Sequence, residues 1–149
     1  MNAKSLLFAA IVLIGTMFVY FLLNPSYEKS LEAKYYYETQ DYKEAYLKAN
    51  EAFSLDQYNR MASTIMAQSK IAMQYEKYIR EAKKYMQEIN TIASKEHISD
   101  ADRARIKLMS EIMTDSYVKL SPSVITNLTL VQEAREYYES FEKLLEKVH

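Results

Sequence analysis

The sequence predicts an all-α protein in which a single N-terminal transmembrane helix is followed by a short stack of about five helices. Glycine occurs once and proline twice in 149 residues, which is too few for the turns of a β-rich or α/β protein of this size. Residues 5–23 contain no charged side chain, and the rest of the chain shows apolar residues at helical spacing. The predicted organisation is an N-terminal tail at 1–4, a membrane helix at 5–23 and a helical domain at 24–149.

The apolar segment at residues 5–23 has the length of a membrane span. As a helix it would rise about 28 Å, which nearly matches a hydrocarbon core of about 30 Å. A cleaved signal peptide and a buried core helix are the alternatives. However, the apolar run continues to Leu23 and no small-x-small cleavage site follows it. A lipoprotein signal would need a cysteine, and the chain has none. We therefore expect an uncleaved signal-anchor.

The charges that flank this segment barely decide its orientation, because Lys4 lies on one side and Lys29 and Lys34 lie on the other. A short tail before a long apolar run usually stays inside, so we expect the N-terminus inside and the C-terminal domain outside. Composition and architecture together suggest a bacterial inner membrane with the helical domain in the periplasm.

Two helices are predicted directly after the span. Asn24 can cap a helix that Pro25 opens, since the missing N–H of proline would be unpaired there anyway. Asp41 and Glu44 have the spacing of a capping box for a second helix, at residues 42–54.

The second of these helices lies in the segment QDYKEAYLKANEAFSLDQYN, residues 40–59. This segment resembles the second half of a tetratricopeptide repeat, and residues 26–59 together have the repeat's usual length. The matching positions are Tyr42, Ala45, Ala52, Leu55, Asp56 and Asn59, with Ala33 and Tyr36 in the first helix. The departures are Gln40 for the usual glycine, Ala49 for a large aromatic, Gln57 for proline, and Lys29 and Glu32 where apolar residues are expected. The resemblance implies a helix-turn-helix unit that offers a concave surface to extended or helical segments of other proteins.

The remainder predicts three more helices. Residues 60–94 contain no glycine or proline, and Ile65, Ala72 and Ile79 begin a seven-residue repeat, so one long helix is preferred over two. This helix also allows a homo-oligomer. Ser99 and Asp102 form a capping box for a helix that runs to about residue 120. Ser121 and Pro122 are predicted to start the last helix, whose buried face would include Val124, Leu128 and Phe141.

Catalysis is not expected. The net charge of −1 argues against nucleic acid as the main partner, because a phosphate backbone requires a basic surface. There is no cysteine, the sole glycine lies in the span, and neither His97 nor His149 has a ligand partner at helical spacing. We therefore expect no catalytic residue, no metal site and no cofactor.

Tyrosine is abundant, and Tyr35, Tyr36 and Tyr37 stand in succession on one helix. They cannot all be buried in one core, and tyrosine is common at interfaces because it combines an apolar ring with a hydroxyl. The predicted partner-binding residues are Tyr35, Tyr36, Tyr42, Tyr46, Tyr78 and Tyr85. The predicted function is a non-catalytic, membrane-anchored scaffold or assembly factor that binds subunits of a secretion, flagellar or cell-envelope complex. The alternative is a membrane-tethered chaperone or an import or export receptor that binds unfolded or targeting segments.

Overall fold

The structure, a computed structural model, describes residues 3–148, apart from the side chain of Val148. These residues form six helices and no strand: α1 (Ala3–Leu23), α2 (Pro25–Glu38), α3 (Tyr42–Leu55), α4 (Arg60–Ala93), α5 (Asp100–Val118) and α6 (Leu128–Val148). The all-α prediction is confirmed, and five helices follow the apolar one. Residues 1–2 of the predicted tail and His149 lie outside the described residues.

Helix α1 is long and apolar enough to cross a membrane, by length and composition. None of its side chains is buried against the rest of the protein, as expected for a helix whose surroundings are lipid. The helix begins at Ala3, two residues before the predicted start of the span, so that Lys4 lies in its first turn.

Helices α2 and α3 form an antiparallel hairpin, and the start of each helix was correctly predicted from its cap residue. The Asn24 side chain accepts a hydrogen bond from the Ser26 backbone N–H, and Pro25 occupies the first turn of α2. At the start of α3, the Asp41 carboxylate accepts a hydrogen bond of 3.2 Å from the Glu44 N–H. This contact is the N-cap half of the predicted capping box.

The turn between α2 and α3 contains Gln40, whose φ of 66° lies in the left-handed region. This is the position at which the tetratricopeptide pattern has glycine. A residue with a Cβ atom adopts this backbone conformation at a cost of about 1–2 kcal/mol, whereas glycine adopts it freely.

We therefore expect Gln40→Gly to raise the free energy of unfolding by about 0.5–1 kcal/mol, since the relief of strain exceeds the added entropy of the unfolded chain. Urea unfolding of the full chain in detergent micelles, followed by circular dichroism, measures this change. Gln57→Gly, in the next loop, is the control and should not stabilise the protein. A destabilised Gln40→Gly variant would contradict the expectation.

Helix α4 is one continuous helix of 34 residues, which confirms the preference for one helix over two. The chain divides into two compact units within this helix, unit 1 (Met1–Ser69) and unit 2 (Lys70–His149). The first part of α4 therefore contributes to the core of unit 1, and the longer second part contributes to the core of unit 2.

Each unit has its own apolar core. In unit 1, Ala33, Ala45, Ala49 and Ile65 are buried together. The small residues allow the helices to approach closely. The core of unit 2 is larger and contains bulkier side chains, including Ile79, Met109, Met113 and Phe141.

The predicted start of the last helix is wrong. Helix α6 begins at Leu128 rather than near Pro122, because a polar turn occupies the intervening residues. The Ser123 N–H donates to Thr126 Oγ1 at 2.8 Å, and the Asn127 side chain caps the helix by accepting from the Thr129 N–H at 2.9 Å. Val124 and Leu128, predicted to be buried, are exposed, whereas Phe141 is buried as predicted, together with Ala134.

Candidate interaction surfaces

A buried polar cluster joins α2, α3 and the start of α4 in unit 1. It consists of Ser26, Ser30 and Asn59, all almost completely inaccessible to solvent. Asn59 Nδ2 lies 2.8 Å from both serine hydroxyl oxygens, and its Oδ1 accepts from the Ala62 N–H at the start of α4. The Ser26 hydroxyl donates to the Ala52 carbonyl oxygen at 2.9 Å. The start of α2, the end of α3 and the start of α4 are thus held together.

A second cluster, here the charge cluster, lies on the surface between α2 and α3. Lys48 Nζ lies 3.1 Å from a Glu32 carboxylate oxygen, and Lys29 lies 3.3 Å from Glu32 and 3.7 Å from Glu51. The hydrogen bond from Lys48 lowers the pKa of Glu32 and raises that of Lys48 in turn. Lys29 and Glu32 depart from the tetratricopeptide pattern, and the charge cluster supplies partners for both.

The six tyrosines predicted to bind a partner occupy different environments. Tyr42 and Tyr78 are buried, so their rings contribute to packing. Tyr36 is half-buried against the core of unit 1, and Tyr85 is half-buried against that of unit 2. Tyr46 is also half-buried. Tyr35 is 64% exposed and therefore offers the largest accessible ring of the set. As expected for three successive positions, the tyrosines are not all buried: Tyr36 and Tyr37 pack against the core of unit 1, and Tyr35 is exposed.

Tyr35 belongs to an outer face of α2 that points away from the core of unit 1. Leu31, one helical turn earlier, is also exposed, and Lys34 and Glu38 lie beside them. The outer face of α2 thus combines two large apolar side chains with charges of both signs. This composition suits a partner surface with an apolar centre and a polar rim.

Unit 2 exposes apolar side chains on the outer face of α5. Leu108 is 57% exposed, Ile112 lies one turn further on, and Val118 at the helix end is 76% exposed. Helical spacing places Leu108 on the side away from the buried Ile106 and Met113, whereas Ile112, three residues after the buried Met109, lies at the edge of the buried face. This side of α5 also carries the exposed residues Ala101, Ala104, Arg105, Glu111 and Asp115.

The sequence analysis did not identify the outer face of α5 as a candidate surface. The signal was nevertheless present, because Leu108 and Ile112 are large and apolar yet fall outside the register of Ile106, Met109 and Met113. An apolar pair on the polar side of an amphipathic helix indicates either a second packing surface or a partner.

Three tyrosines from α4, α5 and α6 lie together in unit 2. The rings of Tyr117 and Tyr138 are stacked with centroids 4.4 Å apart, and Tyr78 lies 5.7 Å from Tyr117. The Tyr78 hydroxyl is buried and has no hydrogen-bond partner among the described residues. Burial, together with the nearby Tyr117 and Tyr138, strongly raises the pKa of Tyr78. This group packs the three helices together.

Comparison of the chain with protein-family models, with curated proteins and with solved structures gives no match. The resemblance of residues 26–59 to a tetratricopeptide repeat therefore stays a prediction. Within residues 3–148, no group of three His, Cys, Asp or Glu side chains could hold a metal ion. The outer faces of α2 and α5 offer apolar and ionic contacts to another molecule.

Proposed function

We propose that this protein is a membrane-anchored scaffold that binds another subunit of a membrane complex, with α1 as its anchor. The observation that carries the proposal is the outer face of α5, where Leu108, Ile112 and Val118 are exposed on a well-packed helix. Leu108 and Ile112 are neighbours at i,i+4 spacing, and an exposed apolar pair on a helix can provide the centre of an interaction site. Arg105, Glu111 and Asp115 would form a polar border that carries charges of both signs.

The repeat-like geometry of unit 1 supports an interaction role. Helices α2 and α3 have 14 residues each, and α4 begins at Arg60, 35 positions after α2 begins at Pro25. This spacing is close to the tetratricopeptide period of about 34 residues, and we propose that residues 26–59 are one such unit. The anchor would confine the domain to the membrane surface and raise its effective concentration near a partner in the same membrane.

The proposed setting is the bacterial inner membrane, with the helical domain in the periplasm. The exposed apolar face would bind a neighbouring envelope protein there. A C-terminal reporter that is active only after export tests this orientation independently of partner binding.

Co-purification of the full chain from detergent extracts tests the scaffold proposal. We expect one or two partner proteins at fixed stoichiometry, and about tenfold less of them with the double variant Leu108→Glu, Ile112→Glu, because two buried apolar contacts would be replaced by charges. The control is Gln87→Glu, Asn90→Glu, which adds the same charge at exposed positions of α4 and should retain the partner. Tyr35→Ala tests the outer face of α2 in parallel.

Many weakly bound, exchangeable peptides in place of a fixed partner would support the alternative, a membrane-tethered chaperone or receptor. Equal recovery of a partner by the glutamate variant and its control would show that the outer face of α5 is not the binding surface.

A further inference from the structure

Residues 55–60 comprise the last residue of α3, the loop that follows it and the first residue of α4. They lie beside the junction of α1 and α2. Only Asn24 separates the end of α1 from the start of α2, so Ser26 lies within one helical turn of the end of α1. Helix α3 runs back toward this end, and the Ser26 hydroxyl donates to the Ala52 carbonyl oxygen near its last turn. Asn59 then contacts Ser26 at 2.8 Å. The loop is therefore held beside the point at which the chain leaves α1.

The loop exposes the side chains that favour a membrane interface. Tyr58 is 94% exposed, Leu55 is also exposed, and Arg60 carries an exposed guanidinium at the start of α4. Tyrosine concentrates at the headgroup level because its ring is apolar and its hydroxyl is polar. A guanidinium forms strong, bidentate hydrogen bonds with phosphate.

The exposure of Tyr58 does not come from a loosely held loop. The Tyr58 N–H donates to the Asp56 carboxylate at 2.9 Å, and the Asn59 N–H donates to the Asp56 carbonyl oxygen at 3.1 Å. The next residue, Asn59, is 1% exposed. A fixed backbone thus holds the Tyr58 side chain outward, beside the junction of α1 and α2.

We propose that residues 55–60 form a juxtamembrane loop that inserts into the lipid headgroup region. The Tyr58 ring and Leu55 reach the boundary of the acyl chains, and Arg60 binds lipid phosphate. This interaction rests on the membrane anchoring by α1 in the proposed function, and adds a second membrane contact that fixes how unit 1 sits on the bilayer.

The chain contains no tryptophan, so single substitutions supply site-specific fluorescent probes. The full chain carrying Tyr58→Trp, Tyr35→Trp or Phe21→Trp is reconstituted into vesicles of phosphatidylcholine and phosphatidylglycerol. Some vesicles contain lipid brominated high on the acyl chains, which quenches tryptophan at short range. Phe21→Trp reports on α1 itself. Tyr35→Trp reports on an exposed position of α2, about 13 Å along the helix from Ser26.

We expect bromolipid to quench Tyr58→Trp at least about threefold more strongly than Tyr35→Trp, with blue-shifted emission, because the ring would lie at the interface. Adding Arg60→Gln to Tyr58→Trp should weaken the quenching in vesicles rich in phosphatidylglycerol. Phe21→Trp should be quenched in every case.

Three outcomes would overturn the proposal. If Phe21→Trp is quenched while Tyr58→Trp behaves like Tyr35→Trp, the anchor is present but the loop stays in water. If Tyr58→Trp is shielded from aqueous iodide without being quenched by bromolipid, protein covers the loop instead of lipid. If Phe21→Trp is not quenched, the membrane anchoring itself fails, and the proposed function fails with it.

Discussion

Replacing Phe141 with alanine is expected to lower the free energy of unfolding by about 3–5 kcal/mol, because the substitution leaves a cavity in a well-packed core. Phe141 is fully buried, and it belongs to the same core as Met109, Met113 and Ala134. It is the largest fully buried side chain among the described residues. Urea unfolding of the full chain in detergent micelles measures the loss, with near-ultraviolet circular dichroism of the tyrosines reporting the packing of unit 2.

Phe141→Leu is the matched control, since it retains most of the buried volume and should cost only about 1–2 kcal/mol. If Phe141→Ala changed the free energy of unfolding by less than about 0.5 kcal/mol, as an ordinary surface substitution does, α6 would not pack as described.

Asn59→Ala is expected to cost about 2–4 kcal/mol, by a different mechanism. The substitution removes the N-cap of α4, worth about 1 kcal/mol. It also removes the buried amide that donates to Ser26 and Ser30, and the loss of buried hydrogen bonds adds about 1–3 kcal/mol. The same unfolding experiment measures the change. Asn50→Ala, at an exposed position of α3, should have almost no effect.

Asn59→Asp separates the two contributions. The carboxylate can still cap α4, but it cannot donate to the hydroxyl and carbonyl oxygens around it, which include Ser26 O at 3.3 Å. The pKa of this carboxyl should therefore lie above its ordinary value of about 4 in the folded protein. The folded state would then bind the proton more tightly, so the stability of the variant should fall as the pH rises above 4. A pH-independent difference from the wild type would show that the donated hydrogen bonds contribute little.

Much of the fold could be predicted from the sequence because the helix ends are marked by local chemistry. Asn24 with Pro25 fixes the start of α2, and the reciprocal Ser99–Asp102 box fixes the start of α5. Both signals act between neighbouring residues, so they can be read without knowledge of the tertiary structure. The absence of glycine and proline between positions 60 and 93 predicted the long α4 in the same way.

The start of α6 could not be predicted because two local signals compete. Ser121 and Pro122 form a good helix start in isolation. The hydrogen bonds between Ser123 and Thr126 instead stabilise a turn, and Asn127 provides a second cap closer to the core. Which of the two starts α6 uses depends on where Ala134 and Phe141 must lie to be buried. That position is set by tertiary packing.

The candidate surfaces were predicted only in part. Tyr35 is exposed as a binding residue requires, whereas the burial of Tyr42 and Tyr78 depends on neighbours distant in sequence. The charge cluster illustrates the same limit. Lys29 and Glu32 form ion pairs with Glu51 and Lys48, which only the packing of α3 on α2 brings beside them.

The junction between α1 and α2 has a mechanical consequence. Only Asn24 separates the two helices, the Phe21 and Tyr27 rings meet edge to face across the joint at 4.8 Å, and no glycine or serine linker is present to absorb motion. A tilt or rotation of α1 would therefore be transmitted to α2 as torque. The joint would convert a change in membrane thickness, or a pull from a neighbour in the bilayer, into a change in the direction that Tyr35 faces.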